Sequence, residues 1–249
     1  MLNMLSAIAA AAVGFGLMAP SAHAAEILVL GSQGNISGLR DLSAGFERAS
    51  GHKVTASQER NVMDKVNANA PADVVSGNPP VIDDLISKGK VVGRRVDFAR
   101  AGIGVAIKEG APKPDLHDTA AFVRMLRNAK SIGYSSVGSG QMMHDIIKRL
   151  GLEEELKAKT KRLDGFPAAE AEARGEVEIA LQQINVILPV KGAELAGPLP
   201  VELQQYNHFA VGVLAVSKER EAATALVNFM VAPENEALVR KSGLEPPAR

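Results

Sequence analysis

The chain has 249 residues, 46% of them hydrophobic and 22% charged, with 28 basic and 28 acidic side chains and a formal net charge of zero. That balance supplies no basic field for nucleic acid or an anionic membrane. Cys is absent, which rules out disulfides and thiolate metal sites, and aromatic residues reach only 4% with no Trp, too few for a sugar- or base-stacking platform.

An apolar stretch runs from Leu5 to Met18 and is followed by Pro20 and Ser21-Ala22-His23-Ala24. It is too short and too rich in Ala and Gly to span a bilayer, and Ala22-x-Ala24 fits the small-residue rule for signal cleavage. Residues 1–24 are therefore expected to be an export signal, leaving a periplasmic chain. Without a Cys at the cleavage point there is no lipid anchor, and the mature protein is expected to be a free monomer.

Glu26 to Leu30 reads as a buried strand, and Leu39, Leu42, Phe46 and Ala49 follow at helical spacing up to Gly51. Strands are expected at 52–57 and around Asp73-Val-Val75, with a polar helix to Ala70 between them and another from Val81 to Lys88. A long strand is expected over 96–107. Helix 122–129, strand 131–134, helix 142–150, helix 168–175 and strand 177–181 come next. Strand 210–217 and helices 222–230 and 234–241 close the chain. Strand, loop and helix in alternation predict an α/β fold with a parallel sheet.

No flexible linker separates two domains. Two α/β lobes would have to be joined by strands passing between them, near 100–107 and 210–217. That division places 25–100 and 214–249 in lobe one and 101–213 in lobe two. Ligands in such sheets sit at strand-to-helix loops facing the cleft.

Three loops of that kind are rich in hydroxyl, amide and glycine groups: Gly31-Ser-Gln-Gly-Asn35, Ser76-Gly-Asn78, and Tyr134 to Gln141. Each precedes a helix, whose first-turn N–H groups and dipole favour an anion. Ser32, Gln33, Asn35, Ser76, Tyr134, Ser135, Ser139 and Gln183 are the candidate ligand-binding residues, with Gln182 beside the last. Ser and Asn at these places also serve as ordinary helix caps and turns. Gly138-Ser-Gly140 lacks the Gly-Lys-Ser/Thr continuation of a nucleotide loop. The 5 histidines show no metal-site spacing, and no nucleophile elbow is present. No metal or cofactor is expected. His208 and His144 are the candidates for proton transfer if there is catalysis, and Arg60, Arg94 and Arg95 could reach an anion.

Glu26-Ile-Leu-Val-Leu-Gly-Ser32, Phe46 to Val54, Pro71-Ala-Asp-Val-Val75, Ala173-Arg-Gly-Glu-Val-Glu-Ile-Ala180, Gly197-Pro-Leu-Pro200 and Phe229 to Glu234 together resemble the molybdate-binding-protein group of type 2 periplasmic binding proteins. The resemblance implies two lobes closing on a small oxyanion or organic anion, held by serine hydroxyls and backbone N–H groups at Ser32 and Ser76, and delivery to an ABC permease. The first loop departs from the group's Ala-Ala-Ala-Ser type, and the second lobe lacks its Pro-containing loop. The chain is in this respect similar to a divergent branch that includes periplasmic aconitate isomerase. A binding protein and a cofactor-independent isomerase interconverting cis- and trans-aconitate are therefore both open at this point, with the binding protein leading.

Overall fold

A computed structural model describes residues 24–136 and 138–248; the expected export segment, apart from Ala24, lies outside them. Fully buried Val29 and Val74 mark strands β1 (Glu26–Gly31) and β3 (Val74–Gly77), and half-buried alternation marks β2 (Lys53–Gln58). The three pair in parallel in the order β2-β1-β3, connected by helices α1 (Ile36–Ser50) and α2 (Val62–Asn67), and α3 (Pro79–Ser87) leads out of β3. Helix α1 buries Ile36, Leu39, Leu42 and Phe46 against this sheet and ends at Gly51, whose φ of 76° needs no Cβ. Ala49, expected on the same stripe, is exposed.

Strand β4 (Val91–Lys108) is 18 residues long and forms the spine of the molecule. Residues 91–102 pair antiparallel with β9 (Tyr206–Leu214), which also pairs with β3. Residues 103–108 pair instead with β7 (Ile179–Gln183) and β8 (Ala193–Pro198). Lobe two continues as β4-β7-β5-β6, with β5 (Ile132–Ser135) parallel to both β6 (Thr160–Leu163) and β7. Helices α4 (Thr119–Asn128), α5 (Ser139–Arg149), α6 (Glu153–Leu156), α7 (Ala168–Ala173) and α8 (Ile184–Ile187) cover it. Helices α9 (Arg220–Val231) and α10 (Glu236–Lys241) return to lobe one and pack on α1.

The fold is thus mixed α/β, as expected, with several corrections. The long strand begins five residues earlier than expected, at Val91 rather than Val96. The return strand spans 206–214, not 210–217, and all of it hydrogen-bonds to lobe-one strands, so the second crossing precedes Tyr206 rather than lying at residue 213. Helix α5 starts at Ser139, three residues before the expected Met142. Strands β6 and β8 and the short helices α6 and α8 add to the expected elements.

Each lobe has its own core. Phe46, Phe98, Phe209 and Leu226 anchor the first, and Ile103, Phe122, Met143 and Leu181 the second. Where the two crossings meet, Gln204 replaces a strand partner: its Oε1 accepts from the Ile103 N–H (2.8 Å) and its Nε2 donates to the Ile103 carbonyl (2.9 Å). Nearby, Arg100 bonds Glu245 (2.7 Å) and stacks over Tyr206 at 4.2 Å, holding the C-terminal segment against the crossing.

Candidate functional site

The sheet's topology turns the C-terminal ends of β1, β3, β5 and β7 towards one another, and a cavity of about 650 Å³ lies between them. Lobe one contributes Ser32, Gln33 and Gly34 after β1, Glu59 and Arg60 after β2, and Asn78 after β3. Lobe two contributes Ser135, Ser136, Gly138 and Ser139 between β5 and α5, Asp164 to Phe166 after β6, and Gln182 and Gln183 at the end of β7. Asn207 and Phe209 of β9 form part of the wall.

The β1–α1 loop owes its shape to Asn35, which is fully buried. Its side chain does not cap α1 in the usual way. Oδ1 accepts from the Ser32 N–H (2.9 Å), while Nδ2 donates to Ser76 Oγ (2.9 Å), and Ser76 Oγ donates to the Ala210 carbonyl (3.1 Å). The Ser32 carbonyl takes the N–H groups of Asn35 and Ile36. The Gln33 and Gly34 N–H groups are left with no partner among the described residues, at the positive end of a helix of 15 residues. Gly34 faces lobe two so closely that a methyl group there would lie 3.1 Å from Gln183 Oε1.

The other two loops behave differently. Helix α3 opens with Pro79-Pro80, which lack N–H groups, and the next two donors, from Val81 and Ile82, return to the Asn78 carbonyl. This helix therefore offers the cleft no first-turn backbone donor, and only the Asn78 side chain remains. Helix α5 is preceded by Gly138 at its N-cap (φ 58°) and packs so tightly on the preceding strand that a Cβ at Gly140 would come 1.6 Å from the Ser135 carbonyl oxygen. Only glycine fits at position 140, and the first turn is thereby pressed against the cleft wall.

The cavity thus collects Ser32, Gln33, Ser135, Ser139 and Gln183 of the sequence candidates, and it excludes Asn35, Ser76 and Tyr134. Asn35 and Ser76 are engaged with each other inside lobe one. Tyr134 is 3% exposed in the lobe-two core, where burial pushes its hydroxyl pKa up. His208 is exposed on β9 and His144 sits on α5, 3.6 Å from Glu153; neither lines the cavity. Arg95 pairs with Asp83 and Asp97 on the surface, and Arg94 is likewise outside, whereas Arg60 lines the cavity with no ion pair among the described residues.

Asn207 was passed over in favour of its neighbour His208. It is 7% exposed, and its Nδ2 has no hydrogen-bond partner among the described residues. Successive strand residues face opposite sides, so Asn207 shares the inward side with Phe209 and Val211 while His208 points outward. That parity was readable from the sequence. Gln182 is already occupied, its Oε1 accepting from the Ala169 N–H (3.0 Å), but the Gln183 amide bonds to no described residue. Two carboxylates complete the lining. Glu59 accepts from Lys65 (2.8 Å) and from Ser57 (2.5 Å), and those two contacts, Lys65 first, hold its pKa below the usual value. Asp164 accepts from the Ser136 hydroxyl.

Beside the cavity, Asn185 of α8 joins the lobes: its Nδ2 donates to the Gly34 carbonyl and to Ser37 Oγ, both at 3.0 Å. Among the described residues, no group of three or more His, Asp or Glu is placed to hold a metal ion, and no helix is long and apolar enough to cross a membrane.

The family model for bacterial extracellular solute-binding proteins matches residues 27–245. The chain belongs to that family. It is 30% identical to an aconitate isomerase of Pseudomonas sp, over 88% of this chain and 87% of that one. It is 24% identical to the molybdate-binding protein of Azotobacter vinelandii, over 93% and 94% of the two chains. The substrate-binding domain of a putative molybdenum ABC transporter from Clostridium difficile superposes with a TM-score of 0.73 at 12% identity, covering 90% of this chain and 100% of that one. The last comparison shows the two-lobed periplasmic-binding-protein fold.

Proposed function

We propose that the cleft captures a small organic polycarboxylate, with aconitate the first compound to test, in the periplasm and as a monomer. The observation that carries the reading is Asn207 Nδ2, a buried amide donor without a partner at a cavity of about 650 Å³. Leaving such a donor unsatisfied costs about 1–3 kcal/mol, so it marks a place for a ligand's acceptor. The other free donors are the Gln33 and Gly34 N–H groups, Ser32, Gln183 and the Arg60 cation, and they come from both lobes. A ligand with several separated carboxylates can meet donors on facing walls, whereas a tetrahedral oxyanion fills a small part of such a space. The kinship to an aconitate isomerase supports the same class of ligand.

Two roles follow from capture. Delivery to an ABC permease is supported by the family and by the molybdate-binding relative. Turnover is supported by the isomerase relative and by Glu59 and Asp164, two carboxylates at the cavity. In that reaction one carboxylate removes a proton from the methylene carbon, the double bond shifts by one position, and a proton is returned to the far carbon of the allylic unit, with no net change in atoms. His208 and His144 have no part in it, being outside the cavity.

Calorimetric titration with cis- and trans-aconitate, citrate, molybdate, tungstate and sulfate tests the ligand class. Saturable binding of a polycarboxylate, absent for the inorganic ions, is expected. Tight molybdate binding without any polycarboxylate binding would overturn the proposal. Following cis–trans conversion by absorbance then separates the roles, and loss of turnover in Glu59→Gln or Asp164→Asn assigns the base.

A further inference from the structure

At the end of lobe two away from the cleft lies a second cavity, of about 820 Å³. The end of β4, the loop after it, helix α4 and the segment from Glu172 to Ile179 line it, and it opens to the surface. Its walls are largely apolar, with Ile107, Pro112, Met125, Ala129 and Val177 among them. Glu172 stands among these walls. It is the last acidic residue of α7, 1% exposed, and its Oε2 is buried with no hydrogen-bond partner among the described residues. A carboxyl group in such a place is rare unless paired, because removing its charge from water is costly.

The other charged groups around this cavity are arranged at its rim. Lys108 comes from β4, Asp115 from the following loop, Arg124 from α4, Lys130 from the turn before β5 and Glu178 from the turn before β7. Arg124 lies 3.6 Å from Asp115. Glu178 takes the Lys130 backbone N–H. The Lys108 and Lys130 ammonium groups pair with no described residue. A deep unpaired acid, two free cations at the mouth and an apolar wall between them describe the complement of a zwitterion with a hydrocarbon body.

We infer that this cavity is a second ligand site, which takes a free apolar α-amino acid: its ammonium group against Glu172, its carboxylate towards Lys108 and Lys130, and its side chain along Ile107 and Met125. Neither the cleft nor its ligand enters this assignment. Burial raises the Glu172 pKa to about 7, with Lys108 opposing. Only the ionised carboxylate pairs with an ammonium group, so affinity should rise through neutrality, by roughly tenfold between pH 6 and pH 8.

The test is titration of the protein with L-leucine, with 3-methylbutylamine, which lacks the carboxylate, and with 4-methylpentanoate, which lacks the ammonium group. The expected result is saturable leucine binding, at least tenfold weaker binding of both analogues, and the stated rise with pH. Glu172→Gln should lose at least tenfold in leucine affinity while keeping the circular-dichroism spectrum of the parent. Lys108→Ala should bring leucine closer to the amine. Asn207→Leu, which alters only the cleft, should leave leucine binding unchanged. Absence of leucine binding, equal binding of 4-methylpentanoate, or unchanged affinity in Glu172→Gln would each overturn the assignment. So would loss of leucine binding in Asn207→Leu, which would place the amino acid in the cleft instead.

Discussion

The loops after β1 and β3 look alike in the sequence, each a short run of hydroxyl, amide and glycine residues ahead of a helix, yet they hold opposite stocks of free donors. After β1, one buried side chain, Asn35, ties the loop from within and leaves the Gln33 and Gly34 N–H groups open to the cavity. At the end of β3, Ser76 is engaged by Asn35 and Ala210, and after it two prolines remove the first helical donors. Polar composition alone therefore does not make a binding loop. What matters is which polar groups remain unengaged after the loop has satisfied its own geometry.

The comparison can be broken most forcefully at Asn35. Asn35→Ala removes both bonds of a buried side chain, orphans the Ser32 N–H and takes from Ser76 Oγ the bond it accepts, leaving only its own donation to the Ala210 carbonyl. A loss of about 2–4 kcal/mol in denaturant unfolding is expected, with ligand affinity falling because the loop is no longer held. Unchanged stability would mean that the Asn35 network is dispensable.

The next effect has the opposite sign and concerns Glu172. Its pKa in the folded protein is raised from 4.5 to about 7, so the folded state holds the proton more tightly than the unfolded chain. Ionisation therefore costs stability as pH rises from about 4.5 to about 7, and the cost stays constant above that. Glu172→Gln should stabilise the protein by up to about 3 kcal/mol above pH 7, and the gain should vanish towards pH 4.5. Melting temperatures of parent and variant across that range check both the sign and the window. A gain independent of pH would remove ionisation as its cause.

The smallest pair of effects sharpens the contrast between engaged and free groups. Asn207→Leu removes a donor that has no partner, so stability should hold or rise slightly while affinity for the cleft ligand drops roughly tenfold. Ser76→Ala should do the reverse, lowering stability by about 1–2 kcal/mol with affinity changed less than threefold. Paired thermal and calorimetric measurements read both. If Ser76→Ala were the variant that lost affinity, the roles given to the two residues would be interchanged.

How much of this could be read beforehand follows the same physics. Strands β1 and β3 and helix α1 announce themselves because burial on both faces, or on one stripe, forces apolar residues into a recognisable spacing. Strand β6, Thr160-Lys-Arg-Leu163, is half-exposed and has no such signature, and β8 carries Gly197-Pro198 at its end. Helix α5 was placed three residues late because its start is set by tertiary contact, the seating of Gly140 on Ser135, rather than by periodicity. In the cleft, Ser32, Gln33, Ser135, Ser139 and Gln183 are within reach of sequence reasoning because they end strands or lie between a strand and the helix that follows it. Ser76 was misread because its partner lies 41 residues away, and a hydroxyl engaged at that distance looks the same in sequence as a free one.

The tie between Gln204 and Ile103 has a mechanical meaning. One side chain grips the backbone of the other crossing through both its donor and its acceptor, so the two connecting segments act as a single pivot. Any rotation of one half of the molecule against the other has to flex both segments at the same height, and sideways sliding would have to tear this double grip. Contact made at either rim is therefore transmitted as a turn of the whole half, in the way a door moves on one hinge pin rather than on two.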